Sequence, residues 1–238
     1  MELKSTYAPE NTLEAFALAI EMKADGIEID IRKTKDDLLV VCHNHIIDIT
    51  SNGSGMISEM TYAELCEYDF SKGREGKYNH KVRIPLLAEV YDLLRPTSLE
   101  LNTELKTWDP KTLELLAKLH NESGMAEREM FSCFNHEAFI ELRKLIPDLR
   151  DGLLYQAKTG DELPWDHAAR LGAYALHPHT SGVYMYDDYV TKCHENNIAI
   201  NVWTPDGEDE LRRLTEMGVD GLITNRPDVA LKIVNNVA

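Results

Sequence analysis

Strand-like and helix-like stretches alternate along almost the whole chain, and this alternation restricts the fold more than any single motif does. The strand-like segments are Ile27–Lys33, Leu38–Asn44, Leu99–Lys106, Met130–Phe134, Gly152–Gln156, Tyr174–His177, Ile198–Thr204 and Gly221–Thr224. Amphipathic stretches separate most of them. The first is expected to start at Asn11, with Glu14 as its capping-box partner, and to bury Leu13, Phe16, Ala17 and Ile20. The others are Leu86–Leu94, Pro110–Ser123, Asn135–Leu145, Pro164–Leu171, Tyr186–Asn196 and Gly207–Met217. Strand alternating with helix implies βαβ units and a parallel sheet. The 238 residues suit a single barrel of roughly 250. With 43% hydrophobic residues and no low-complexity linker, one core is expected. The expected class is α/β, a (β/α)8 TIM barrel, with residues 1–238 forming one domain.

A faint internal echo fits a closed repeat. Glu21–Asp30 (EMKADGIEID) matches Glu216–Asn225 (EMGVDGLITN) as helix end, Asp-Gly turn and strand. Either the two are the first and last units of a barrel, or any α/β fold reuses such a turn. Residues 44–83 break the rhythm. They are rich in Gly, Ser, Asn and Asp, with one clear short helix at Tyr62–Tyr68, and read as an inserted functional subdomain.

The segment Gly26–His45 (GIEIDIRKTKDDLLVVCHNH) carries the most chemistry. Side chains two apart on a strand share a face. Glu28 and Asp30 therefore point one way and Ile27, Ile29 and Ile31 the other. Two adjacent carboxylates repel unless a cation or a shared proton intervenes, and barrel strands end at the active-site face. The pair reads as metal ligands on a core strand; a solvated edge strand is the alternative. A hairpin centred between Asp36 and Asp37 would set His43 opposite Asp30, where an adjacent anion favours the protonated imidazole. His45 is read as structural. On Leu99–Lys106, Asn102, Glu104 and Lys106 share a face, so Glu104 supplies a third carboxylate and Lys106 a cation for an anionic group. Three carboxylates without a thiolate or a histidine run favour one hard divalent cation, Mg²⁺ or Ca²⁺, over zinc. Later strand ends add Phe134, His177 with His179, and Trp203. Trp203 would wall a small organic substrate, or else be a core Trp.

The net charge is −16 at pH 7, which disfavours nucleic acid and anionic membranes as partners. No apolar run approaches the roughly 18 residues of a membrane span. The N-terminus as given has no signal-peptide core. Cys42, Cys66, Cys133 and Cys193 form no C-x-x-C pair and read as reduced thiols, so the expected location is cytoplasmic.

Taken together, APENTLEAF (Ala8–Phe16), ADGIEID (Ala24–Asp30), TKD (Thr34–Asp36), VVCH (Val40–His43), TSNGSG (Thr50–Gly55), RIPLL (Arg83–Leu87), NTELK (Asn102–Lys106), SCFNH (Ser132–His136), VWT (Val202–Thr204) and GVDGLITNRP (Gly218–Pro227) resemble the glycerophosphodiester phosphodiesterase family. The resemblance implies a distorted TIM barrel with a small insertion. It also implies metal-dependent hydrolysis of a small-molecule glycerophosphodiester to an alcohol and glycerol 3-phosphate. By position, Glu28, Asp30 and Glu104 take the metal-ligand roles, His43 one of two acid/base roles, and Lys106 a phosphate contact. In the family mechanism the free glycerol hydroxyl attacks phosphorus, one His removes its proton, another protonates the departing alcohol, and water opens the cyclic phosphate.

The departures from the family pattern fall on one side of the site. Met1-Glu2-Leu3 stand in the slots of the family's H-R-G, so the second His, its Arg and the first barrel strand are expected to be missing. Asn44 replaces the Asp of H-D, and Ile49 the Arg of D-R-T. Three explanations stay open. The true start lies upstream of Met1, in which case a leader for secretion becomes an option; or a divergent member recruits His45, His177 or another base; or an inactive relative binds metal or phosphodiester without turnover. Self-association is left open.

Overall fold

A computed structural model describes residues 7–156 and 162–237. They group into two compact units, one of the described residues up to Glu129 with Glu141–Pro147, the other of Met130–Ile140 with the described residues from Asp148 onward. The missing-strand expectation falls on residues 1–6, outside the described residues. In the first unit, α1 (Leu13–Glu21) leads to β1 (Gly26–Lys33) and β2 (Leu39–Val41), which form an antiparallel hairpin. Then come α2 (Tyr62–Leu65), α3 (Leu87–Leu94), β3 (Glu100–Leu105) and α4 (Pro110–Ser123), with β3 parallel to β1. β4 (Glu129–Cys133) and α5 (Ala138–Leu145) follow. The second unit continues with β5 (Asp151–Tyr155), α6 (Pro164–Leu171), β6 (Ala175–Pro178), α7 (Thr180–Val183), α8 (Tyr189–Glu195), β7 (Ala199–Trp203), α9 (Glu208–Glu216), β8 (Gly221–Ile223) and α10 (Pro227–Val237). There β4 through β8 pair successively in parallel. No helix among the described residues is long and apolar enough to cross a membrane.

The first helix begins one turn signal later than expected. Thr12, not Asn11, is its N-cap, accepting the Ala15 N–H at 3.3 Å. Asn11 sits in the left-handed region (φ 54°) and faces Asp30 instead. Glu14 closes no capping box; it meets His80 at 2.8 Å. Only Phe16 of the expected apolar face is buried.

The hairpin differs from its expected register by one residue. Its pairs are Ile31 with Val41, Arg32 with Val40 and Lys33 with Leu39, and the Cys42 N–H donates to the Asp30 carbonyl at 2.8 Å. Cys42, not His43, therefore stands opposite Asp30. The reason lies in the turn. Thr34 N–H donates to Leu38 O and Asp37 N–H to Thr34 O, while Asp37 takes φ 59°. This three-residue loop ends on a left-handed residue, so the hairpin centres on Asp36. Asp36 also accepts the Tyr62 N–H at 3.0 Å and so ties the turn to the insertion.

Residues 44–83 carry more order than a loop. They hold an antiparallel bridge (Ile46 with Met56), a 3-10 turn (Ile57–Glu59) and α2, which is shorter than expected and has a Thr61/Glu64 capping box. Ile47, Ile57, Leu65, Phe70 and Val82 pack with Val40, Cys42 and Ile84 into one apolar cluster.

The echo noticed in sequence is one case of a repeated turn. After α1, Lys23 N–H donates to Ile20 O and Ala24 N–H to Ala19 O; after α9, Gly218 donates to Thr215 O and Val219 to Leu214 O. Helices α6 and α8 end the same way at Gly172 and Asn197. Each pair of bonds is a Schellman motif, which needs a left-handed residue. Glycine fills that place after α6 and α9, Asn after α8, and Lys23 (φ 62°) after α1. Lys23 is exposed, and a Cβ at Gly218 would meet nothing within 4 Å, so backbone strain dominates both sites. We expect Lys23→Gly to raise stability by up to about 1 kcal/mol and Gly218→Ala to lower it by about 1–2 kcal/mol, measured as shifts in urea midpoint. A midpoint unmoved by either change would show that these turns relax freely.

Candidate functional site

Strands β1 and β3 build the site by pairing in register. Glu28 stands beside Asn102 and Asp30 beside Glu104, giving a two-by-two patch of oxygen-bearing side chains. Ile27, Ile29, Ile31, Leu101, Thr103 and Leu105 are buried, and strand alternation puts them on the other face. One oxygen from each of Glu28, Asp30 and Glu104 lies within 4.8 Å of the others. Lys106, just past β3, places Nζ 3.1 Å from Asp30 Oδ1 and ion-pairs with Glu104.

The electrostatics describe a cluster short of positive charge. Burial, then Asp30 and Glu104, pushes Glu28 well above the usual carboxylate range. Burial, then Asp30, pushes Glu104 up to about 7 even with Lys106 opposing. Burial disfavours the Lys106 ammonium, yet Asp30 and Glu104 hold it above its ordinary value. Three carboxylates and one ammonium leave two negative charges, which one divalent cation balances. Asp30 Oδ1 is buried with Lys106 as its ion-pair partner, and Asn102 Oδ1 is buried without a hydrogen-bond partner. A hard cation among oxygen donors fits this set; a thiolate-seeking metal does not.

Polar contacts hold the strands from both sides. Asn11 Nδ2 donates to Asp30 Oδ2 at 2.8 Å, and Asp30 N–H donates to Asn11 Oδ1 at 3.1 Å. Behind β3, the fully buried Glu129 carboxylate accepts the Thr103 hydroxyl at 2.7 Å and the Tyr91 hydroxyl at 2.9 Å, and meets His120 Nδ1 at 2.7 Å.

His43 is half-buried just beyond β2. Burial outweighs the nearby Asp30 and holds its imidazole below the ordinary value, the reverse of the expected protonated form. The Arg32 guanidinium grips the His43 carbonyl with Nε at 3.0 Å and Nη2 at 2.6 Å. His45 is exposed, and Ile49, in the slot of the family's Arg, is 42% exposed.

The remaining expected residues lie in the second unit. Phe134 is 46% exposed and meets Trp203 edge-on, with centroids 5.8 Å apart. Trp203 also meets the His179 ring at 4.8 Å, and its indole N–H donates to the His177 carbonyl at 2.8 Å. His177 is wholly buried, with Nε2 2.9 Å from Asn201 Nδ2 and its ring in the space that a Cβ on Gly152 would take. Burial pushes its pKa down to about 3. Its imidazole exposes no surface to solvent.

Sequence reasoning passed over Asn11 as a site residue, and also Arg32 and Asn102. Simple alternation could have found two of them. Arg32 continues the Glu28, Asp30 series, and Asn102 precedes Glu104 on the same face.

A family model for the glycerophosphoryl diester phosphodiesterase family matches residues 4–229. A glycerophosphodiester phosphodiesterase of Caldanaerobacter subterraneus is 36% identical over 97% of this chain and 94% of its own length. One from Bacillus altitudinis is 32% identical over 94% and 92%. Among solved structures, an Oleispira antarctica phosphodiesterase in complex with the product sn-glycerol-3-phosphate matches with a TM-score of 0.84 at 24% identity, covering 97% of this chain and 93% of that one. A glycerophosphodiester phosphodiesterase of Parabacteroides distasonis matches at 0.83 and 26% identity, covering 98% and 93%. The fold class is α/β, a TIM barrel. With its carboxylate-bearing strands, its inserted segment and a match over nearly its whole length, the chain belongs to the glycerophosphoryl diester phosphodiesterase family, a family of hydrolases.

Proposed function

We propose that the chain hydrolyses glycerophosphodiesters to an alcohol and glycerol 3-phosphate, with one divalent cation, Mg²⁺ or Ca²⁺, at the carboxylate cluster. The observation that carries this reading is the set of three carboxylate oxygens within 4.8 Å with Lys106 against two of the groups. Glu28, Asp30 and Glu104 would hold the cation. When bound, the ion supplies positive charge for the phosphoryl oxygens. Lys106 donates N–H bonds toward the same oxygens and offsets charge that develops on them. His43, held neutral near pH 7 by its burial, accepts the proton of the attacking hydroxyl. Arg32 fixes the backbone that carries His43. Trp203 and Phe134, in edge-on contact, are proposed as an aromatic surface for the organic part of the substrate; Trp203→Ala is expected to raise KM more than it lowers kcat.

The direct test is release of glycerol 3-phosphate from glycerophosphocholine with Mg²⁺ or Ca²⁺. Activity is expected to vanish with EDTA and with Glu28→Ala. His43→Ala is expected to lower kcat by about 10²- to 10⁴-fold, and Arg32→Met to lower it less, with KM little changed. Turnover that survives both EDTA and Glu28→Ala would overturn the metal reading. Saturable metal binding without turnover would support a ligand-binding relative instead.

A second test reads stability. Glu104 binds its proton more tightly folded, at about 7, than at its ordinary 4.5. Between those pH values the folded chain carries more protons than the unfolded one, so stability falls as pH rises. Glu28 adds the same sign. The buried histidines His43 and His177, held below their ordinary values, act with the opposite sign, so the test compares variants: in EDTA, from pH 5 to pH 7.5, the urea midpoint of the wild type is expected to change less favourably than that of Glu104→Gln, and Mg²⁺ or Ca²⁺ is expected to remove the difference. Equal pH dependence in the metal-free wild type and Glu104→Gln would contradict the charge-poor cluster.

A further inference from the structure

We propose that Asn11 is a positioning residue of the metal centre, aiming the Asp30 carboxylate at the cation. The inference rests on the metal reading above. The turn Pro9-Glu10-Asn11-Thr12 divides its work between two neighbours. Thr12 is buried, donates its hydroxyl to the Pro9 carbonyl at 2.7 Å and caps α1. Asn11 takes no part in the cap; its left-handed backbone turns its amide toward β1.

Both ends of that amide are used on one residue. Oδ1 accepts the Asp30 backbone N–H at 3.1 Å, and Nδ2 donates to Asp30 Oδ2 at 2.8 Å. Asp30 presents a donor and an acceptor, so a short side chain that carries one of each is required there. A carboxylate at position 11 would oppose Oδ2, and a hydroxyl lacks the second arm. With Oδ2 and the backbone both fixed, the carboxylate plane of Asp30 is fixed. Its other oxygen, Oδ1, is buried and turned toward the cluster, where it ion-pairs with Lys106 Nζ at 3.1 Å. An oxygen held in this way needs no reorganisation to meet a cation, and outer contacts of this kind typically change metal affinity by about 10- to 100-fold.

The test compares Asn11→Gly with Asn11→Ala. Both remove the two bonds to Asp30. Glycine accepts φ 54° freely, whereas alanine is strained there. Affinities for Mg²⁺ and for Ca²⁺ are measured by calorimetry on the full chain, and melting temperatures in EDTA. We expect both variants to lose about 10- to 100-fold in affinity to a similar degree, while Asn11→Ala melts lower than Asn11→Gly. Raising the cation concentration should then restore kcat in both. Wild-type affinity in Asn11→Gly would overturn the assignment and leave the metal centre standing. So would an affinity loss that follows melting temperature, large for Ala and absent for Gly, because that is the signature of a merely structural turn. A wild-type chain with no saturable heat for either ion would overturn the metal centre itself, and the role of Asn11 with it.

Discussion

Like charges at close range are the constraint around which this site is organised. Parallel pairing in register sets Asp30 beside Glu104, with Glu28 two residues before Asp30 on the same face. Such a patch repels itself, and burial strengthens the repulsion by removing water. A single lysine against two of the three groups leaves the balance negative. Raised proton affinities at Glu28 and Glu104 are the direct expression of that imbalance. The stability lost at the patch has to be supplied by what lies around it.

The supply comes from the opposite faces and from behind the strands. Ile29, Ile31, Leu101 and Leu105 are almost wholly buried, and each such side chain contributes roughly 1.5–3 kcal/mol relative to exposure. Thr103, between Asn102 and Glu104, hangs by its hydroxyl on Glu129, whose carboxylate is also met by Tyr91 and His120. A buried carboxylate is tolerated only when its oxygens are so occupied. The chain thus holds two kinds of buried acid. Glu129 is saturated with partners and serves the scaffold. The cluster on the other face has one lysine for its carboxylates, and Asn102 Oδ1 beside them is buried without a hydrogen-bond partner.

Much of this was legible in the sequence because strand geometry is local. Alternation alone places Glu28 with Asp30 and Glu104 with Lys106, and most strand and helix bounds follow within a residue or two. Errors arose where one residue of turn chemistry decides a count. Asp37 in the left-handed region shortens the hairpin by one position, and so Cys42 rather than His43 faces Asp30. Asn11 in the same region gives up the cap to Thr12 and turns toward Asp30. Neither Asp nor Asn announces a positive φ as glycine does. The protonation of His43 was misjudged for another reason: a neighbouring charge can be counted from spacing, but burial depends on the whole fold.

The carboxylates and His43 are held in place by different physics. The carboxylates ride on paired strands, where register fixes position and a slip of one residue would reverse every face. His43 lies past the last ladder pair, where no strand pairing constrains it. The two bonds from Arg32 to the His43 carbonyl take over at the point where the ladder stops. Arg32 itself sits on β1, two residues beyond Asp30, so the strand that carries two of the carboxylates also anchors the imidazole's backbone.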